Sequence, residues 1–159
     1  MIVALALAGC DDGDAGPFIG DPDYERDPAL DVELISGRGG ATSHNVGQNC
    51  MQCHQANGPG PGLFTVAGTL YDVDGAPHPD GVVELRTAPM GNGELVLRVE
   101  ADANGNFYST EALPLPDMPL FPWVLSDDRA RTSFMPFPTR SAACNVCHAG
   151  GAVVRLPEA

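Results

Sequence analysis

Two copies of one five-residue pattern constrain this chain more than any other feature. Cys50-Met-Gln-Cys53-His54 and Cys144-Asn-Val-Cys147-His148 repeat the order Cys-x-x-Cys-His, and 90 residues separate the two pairs. The pattern is local, so the fold must supply a short, tightly held peptide on each side of whatever the intervening residues build. Those residues favour strands. Gly (19) and Pro (15) make up about a fifth of the 159 residues, which suits short strands joined by turns better than long helices. The length fits one compact unit plus tails, and 43% apolar residues suffice for a small core. Every one of the eight basic residues is Arg, against 21 acids, for a formal charge of −13. A chain without a clustered basic face is a poor partner for nucleic acid.

Cys-x-x-Cys-His is the attachment signature of c-type haem, and with two copies the chain resembles the dihaem cytochromes c. The resemblance implies two covalently bound haem c groups. The thiols of Cys50 and Cys53, and of Cys144 and Cys147, would be joined to the porphyrin vinyl groups, with His54 and His148 as the proximal iron ligands. Two other readings of the four cysteines stay open: disulfides in a secreted chain, or one structural zinc held by four thiolates. Neither requires a histidine directly after both pairs.

Ahead of the first pair the chain divides in two. Residues 1–10 form an apolar run ending in Leu7-Ala8-Gly9-Cys10, which looks like a bacterial lipobox with Cys10 as the lipidated residue. The run is short and lacks a basic beginning, which a start codon assigned too late would explain; an ordinary cleaved leader ending at Ala6-Leu7-Ala8 is the alternative. Both readings export the chain. Residues 11–40 carry nine acids and only Arg26 and Arg38 as bases, so they read as a solvated acidic tether, with a short helical or strand turn around residues 29–35. The cluster Asp11, Asp12 and Asp14 lacks the remaining ligands of a calcium loop.

Residues 41–159 read as the dihaem domain, with haem sites at 41–62 and 135–151 around a β-sandwich at about 63–134. The run Gly58-Pro59-Gly60-Pro61-Gly62 ends the first site, because it cannot lie inside a helix or strand. Strands are expected at 64–71, 82–86, 94–99, around 107–108, at 121–125 and at 153–156, with turns at Asp74-Gly75 and Asn104-Gly105. The expected fold class is mainly β, a small antiparallel sandwich flanked by the two haem peptides. This middle third resembles the carboxypeptidase regulatory-like, transthyretin-type domain. The resemblance lies in Gly68-Thr69-Leu70-Tyr71-Asp72-Val73-Asp74-Gly75-Ala76-Pro77, in Gly81-Val82-Val83-Glu84-Leu85 and in Ala101-Asp102-Ala103-Asn104-Gly105-Asn106-Phe107. It implies a scaffold or binding unit and no catalysis.

Candidates for the sixth coordination position are few. His44 lies ten residues before His54, enough extended chain to pass round a haem edge and reach its far face. For the second iron, Met135 precedes Cys144 by nine residues, an arrangement parallel to His44 and Cys50, and a thioether is a known ligand in cytochromes c. His78 is the alternative and Met118 a weaker one. His78 should be remote from the first haem, because a strand of eight residues rises ~26 Å.

Filled axial positions on both irons imply electron transfer between redox partners, with no catalytic residues. The acidic surface favours partners with basic docking faces, and a lipid on Cys10 would hold the protein at a membrane of the cell envelope. An open second iron reducing a small ligand, and a zinc- or disulfide-stabilised structural lipoprotein, are the competing readings; self-assembly into a haem chain also stays open.

Overall fold

In the computed structural model of the protein, residues 24–149 and 153–157 are described. Among them are seven strands: β1 (Val66–Tyr71), β2 (Val82–Arg86), β3 (Leu95–Glu100), β4 (Asn106–Ser109), β5 (Phe121–Leu125), β6 (Thr132–Phe134) and β7 (Val154–Arg155). One four-residue helix, α1 (Cys144–Cys147), lies between β6 and β7, and 3-10 turns occupy Pro28–Leu30 and Cys50–Gln52. The fold is a small mainly-β sandwich. A three-stranded sheet ordered β4-β1-β7 faces a four-stranded sheet ordered β3-β2-β5-β6.

The core forms where the inward positions of the two sheets meet. Val66, Leu70 and Phe107 from the smaller sheet pack with Val83, Leu85, Leu97, Val99 and Val124 from the larger, and Leu120 and Leu156 close the ends. Each fully buried side chain of this kind contributes about 1.5–3 kcal/mol of burial free energy. β3 alternates in burial as a half-exposed strand should. β2 does not, because Glu84 on its outer side is buried under Arg86 and Arg98, which bond its two carboxylate oxygens at 2.7 and 2.9 Å. Arg86 in turn lies over the Trp123 ring, 5.4 Å from its centre.

The turn residues steer the chain between sheets. Gly105 adopts φ 74°, and Asp102 Oδ1 accepts hydrogen bonds from the amides of Asn104 and Asn106 on either side of it. This Asn-Gly turn carries the chain from β3 in the larger sheet to β4 in the smaller one, so it is a crossing between sheets and not a hairpin.

Three details differ from the sequence reading. The sandwich is not wholly antiparallel: β7 pairs with β1 in parallel, Leu70 opposite Val154. β1 starts at Val66 and is buried at five of its six positions, because the two cysteine-bearing segments cover the face that the core does not. β6 was not foreseen, since Thr132-Ser-Phe134 carries too short a pattern to stand apart from its loop.

Charge count also misread part of the acidic segment. Residues 11–23 lie outside the described residues, but 24–40 are bonded to the loop after the first cysteine pair and to the sandwich. Tyr24 Oη donates to the Gly58 carbonyl, and the Arg26 guanidinium donates to Gly58 and Leu30 carbonyls and to Asp31. Ser36 trades backbone and hydroxyl hydrogen bonds with Tyr108, and Ile35 bridges Ser109, so the segment covers the open edge of β4. Main-chain groups, which a charge tally ignores, make most of these bonds.

Candidate functional site

The first Cys-x-x-Cys-His segment winds into the 3-10 turn at Cys50–Gln52, which brings the backbone of Cys53 and His54 under the Cys50 carbonyl. His54 is the best-fixed side chain of the region. Its Nδ1–H donates to the Pro61 carbonyl at 2.7 Å; a carbonyl can only accept, so the proton is on Nδ1 and Nε2 is left with a free lone pair. The ring is stacked on Phe64 at 4.0 Å and 2° from parallel, and Phe64 is stacked on Tyr108 at 4.8 Å. The Gly-Pro run serves this geometry directly. A Cβ on Gly60 would lie 2.8 Å from His54 Nδ1, so only glycine lets the loop fold over the ring. Burial, and the charges of His44 and Arg26, lower the His54 pKa against the opposing pull of the Pro61 bond.

His44 meets His54 across a cavity of about 370 Å³, with their ring centres 6.2 Å apart. Cys50, Cys53, Phe64, Tyr108 and Asn106 also line this cavity. Two imidazoles facing one metal from opposite sides, each with a metal–nitrogen bond of ~2 Å and another ~1 Å from nitrogen to ring centre, would have centres ~6 Å apart. The spacing of His44 and His54 fits that arrangement.

The second segment forms α1, and its backbone closes on itself where the His148 amide donates to the Cys144 carbonyl. A cavity of about 350 Å³ adjoins it, lined by Cys144, Cys147 and His148 on one side and by Phe134, Met135 and Val154 on others. Both cavities fall within the ~300–1,000 Å³ range of small-molecule and cofactor pockets. Burial raises the Cys50 thiol pKa and pushes that of Cys144 up to about 12.

The structure thus brings His44 together with the first motif and Met135 together with the second. His78 lines neither cavity; its amide bonds the Leu70 carbonyl at the far end of β1, beside Gly81. Met118 is exposed and also lines neither. Cys10 is outside the described residues. Cys50, Cys144 and Cys147 are free thiols, whereas Cys53 is disulfide-bonded. Among the described residues no three His, Cys, Asp or Glu side chains converge as a site for a single metal ion, so the four-thiolate arrangement is not assembled there. Nor is any helix among the described residues long and apolar enough to cross a membrane.

Sequence reasoning missed the aromatic support of His54 and the buried amides of Asn106 and Asn145. Phe64 was legible only as a strand residue, and the hydrogen bonds that Asn145 makes to Thr69 and Gln48 become visible only once the fold brings those residues beside it. Comparison with protein-family models, with curated proteins and with solved structures finds no match for this chain.

Proposed function

We propose that this protein is a dihaem c-type cytochrome that passes electrons between redox partners of the cell envelope. One observation carries the reading. Each Cys-x-x-Cys-His segment lines its own cavity, and each cavity presents a second side chain able to ligate iron, His44 in the first and Met135 in the second. Cys50, Cys53, Cys144 and Cys147 would hold the two groups covalently, and His54 and His148 would be the proximal ligands. Bound haem supplies a one-electron ferric/ferrous couple. The protein contributes the setting. Pro61 keeps His54 in the tautomer that coordinates through Nε2, and Phe64 with Tyr108 keeps its ring from turning. With His44 and Met135 as second ligands, neither iron would keep a position for a substrate, which favours electron transfer over catalysis. The formal charge of −13 suits partners with basic docking faces.

Mass spectrometry of protein made in a host with a working c-type maturation system should find two covalent haems per chain. One or none would overturn the proposal. A second reading draws on the disulfide at Cys53, which haem attachment there must exclude: an exported structural protein stabilised by that bond. In that case the protein is colourless and Cys53 resists alkylation until it is reduced. Membrane attachment is tested separately. Cys10→Ser should release the protein from the membrane fraction, and unchanged partitioning refutes a lipid on that thiol.

A further inference from the structure

The two cysteine-bearing segments meet at one point on β1, and the contact is a chain of buried hydrogen bonds. After Ala142, whose carbonyl accepts from the Ala67 amide, the backbone leaves the β1 edge to form α1 and returns as β7. That departure leaves the Thr69 amide facing the gap, where the Asn145 side chain replaces the missing backbone acceptor: Thr69 N–H donates to Asn145 Oδ1 at 3.0 Å. Asn145 Nδ2 then donates in two directions, to the Gln48 carbonyl at 2.8 Å and to Thr69 Oγ1 at 3.1 Å. Thr69 Oγ1 also accepts from the Gly47 amide and donates to Asn106 Oδ1 at 2.7 Å. Asn106 Nδ2 completes the path by donating to Ser43 Oγ and to the His44 carbonyl at 3.1 Å. Asn145, Thr69 and Asn106 are each at most 4% exposed. With its hydroxyl donating once and accepting twice, Thr69 has no capacity left for another partner.

We infer that Asn145, inside the second Cys-x-x-Cys-His segment, is a positioning residue for the first: through Thr69 and Asn106 it holds the loop carrying His44 at its 6.2 Å spacing from His54. The inference rests on the haem reading for its ligation consequence, but its structural half stands on the hydrogen bonds alone. His44 itself is exposed, so the loop takes its position from backbone anchors at Gly47, Gln48 and His44 and not from burial of the imidazole. Losing the Asn145 amide would free the Gln48 anchor outright and remove one of the bonds that fix the Thr69 hydroxyl, which holds Gly47, without touching the His44 side chain.

The test uses the full chain, matured with haem, in the unsubstituted form and as Asn145→Leu, Asn145→Asp and Thr69→Val. Three quantities are read: covalent haem per chain, the low-spin bis-imidazole signal of ferric protein, and amide hydrogen exchange at Gly47 and Thr69. Asn145→Leu should keep two haems, lose about half or more of the bis-imidazole signal, and exchange roughly tenfold faster at both amides. Asn145→Asp keeps the acceptor for Thr69 N–H, so exchange at Thr69 should stay near the unsubstituted rate while the bis-imidazole signal still falls. Thr69→Val should accelerate Gly47 alone, and it decides the matter if Asn145→Leu does not fold. An unchanged signal with unchanged exchange, or a change confined to the second haem, overturns the inference. Absence of haem from the unsubstituted protein sinks the cofactor reading instead, and exchange at Gly47 in Thr69→Val then decides whether the bridge holds the loop.

Discussion

The same five-residue pattern occurs twice in this protein, in two unlike surroundings. The first copy lies ahead of the sandwich, and the loop after it folds back so that Pro61, Phe64 and Tyr108 grip the His54 ring. The second copy is built into the edge of β1, its helix filling the gap between the Ala142 contact and β7, with the apolar core directly behind Cys144. Local sequence therefore specifies the grouping of two thiols and an imidazole, while the surroundings specify how that imidazole is held. The first site orients its histidine by a hydrogen bond and stacking and opposes it with another histidine. The second anchors its cysteines in the sheet and offers a methionine across the cavity. If both sites hold haem as proposed, they should differ in potential, because thioether ligation raises it relative to bis-imidazole ligation.

The comparison breaks most sharply at the cysteines. Cys50→Ala/Cys53→Ala should lose one haem and leave the other intact, and Cys144→Ala/Cys147→Ala the converse, each counted by intact-protein mass. Loss of both from either double variant would mean that the sites mature as one.

Next in size is the difference in potential. A redox titration should resolve two unequal couples, the first site the lower. Met135→His should lower the upper couple by roughly a tenth or more of the ~0.8 V that axial ligands span, and abolish the ferric thioether charge-transfer band. His44→Ala should disturb only the lower couple. Two equal, low potentials in the native protein would reject Met135 as a ligand.

Two glycine variants give a finer and site-selective perturbation. A methyl group on Gly60 would stand 2.8–2.9 Å from His54 ring atoms, whereas one on Gly68 would stand 2.5 Å from Phe107 and 2.9 Å from the Cys144 Cβ. Overpacking of this kind costs about 1–3 kcal/mol. Gly60→Ala should therefore alter the spectrum of the first haem and Gly68→Ala that of the second, each with a lowered Tm. If both variants disturb the same haem, the separation of the two environments drawn here is wrong.

Much of the fold was legible because strand patterning is a short-range property. The runs at residues 82–86 and 121–125 became strands at those bounds, and the glycines of Asp74-Gly75 and Asn104-Gly105 both adopt positive φ. Of the site, the motif residues and two candidate partners, His44 and Met135, were readable from spacing alone. The support for His54 was not, since Phe64 and Tyr108 are 44 residues apart and meet only because β1 and β4 pair across Val66 and Ser109.

By itself, then, the sequence determined the mainly-β class, the turn positions and the two places where thiols and imidazoles are grouped, all of which depend on neighbours a few residues away. Only the tertiary structure decided that β7 runs parallel to β1, that residues 24–40 cover a sheet edge despite their acids, and that Asn145 fills a gap in one strand's hydrogen bonding. The physical reason is common to all three. An unpaired backbone amide or carbonyl at a sheet edge must find a partner, and that partner is chosen by which segments the fold brings alongside, a fact that no local pattern of charge or hydrophobicity records.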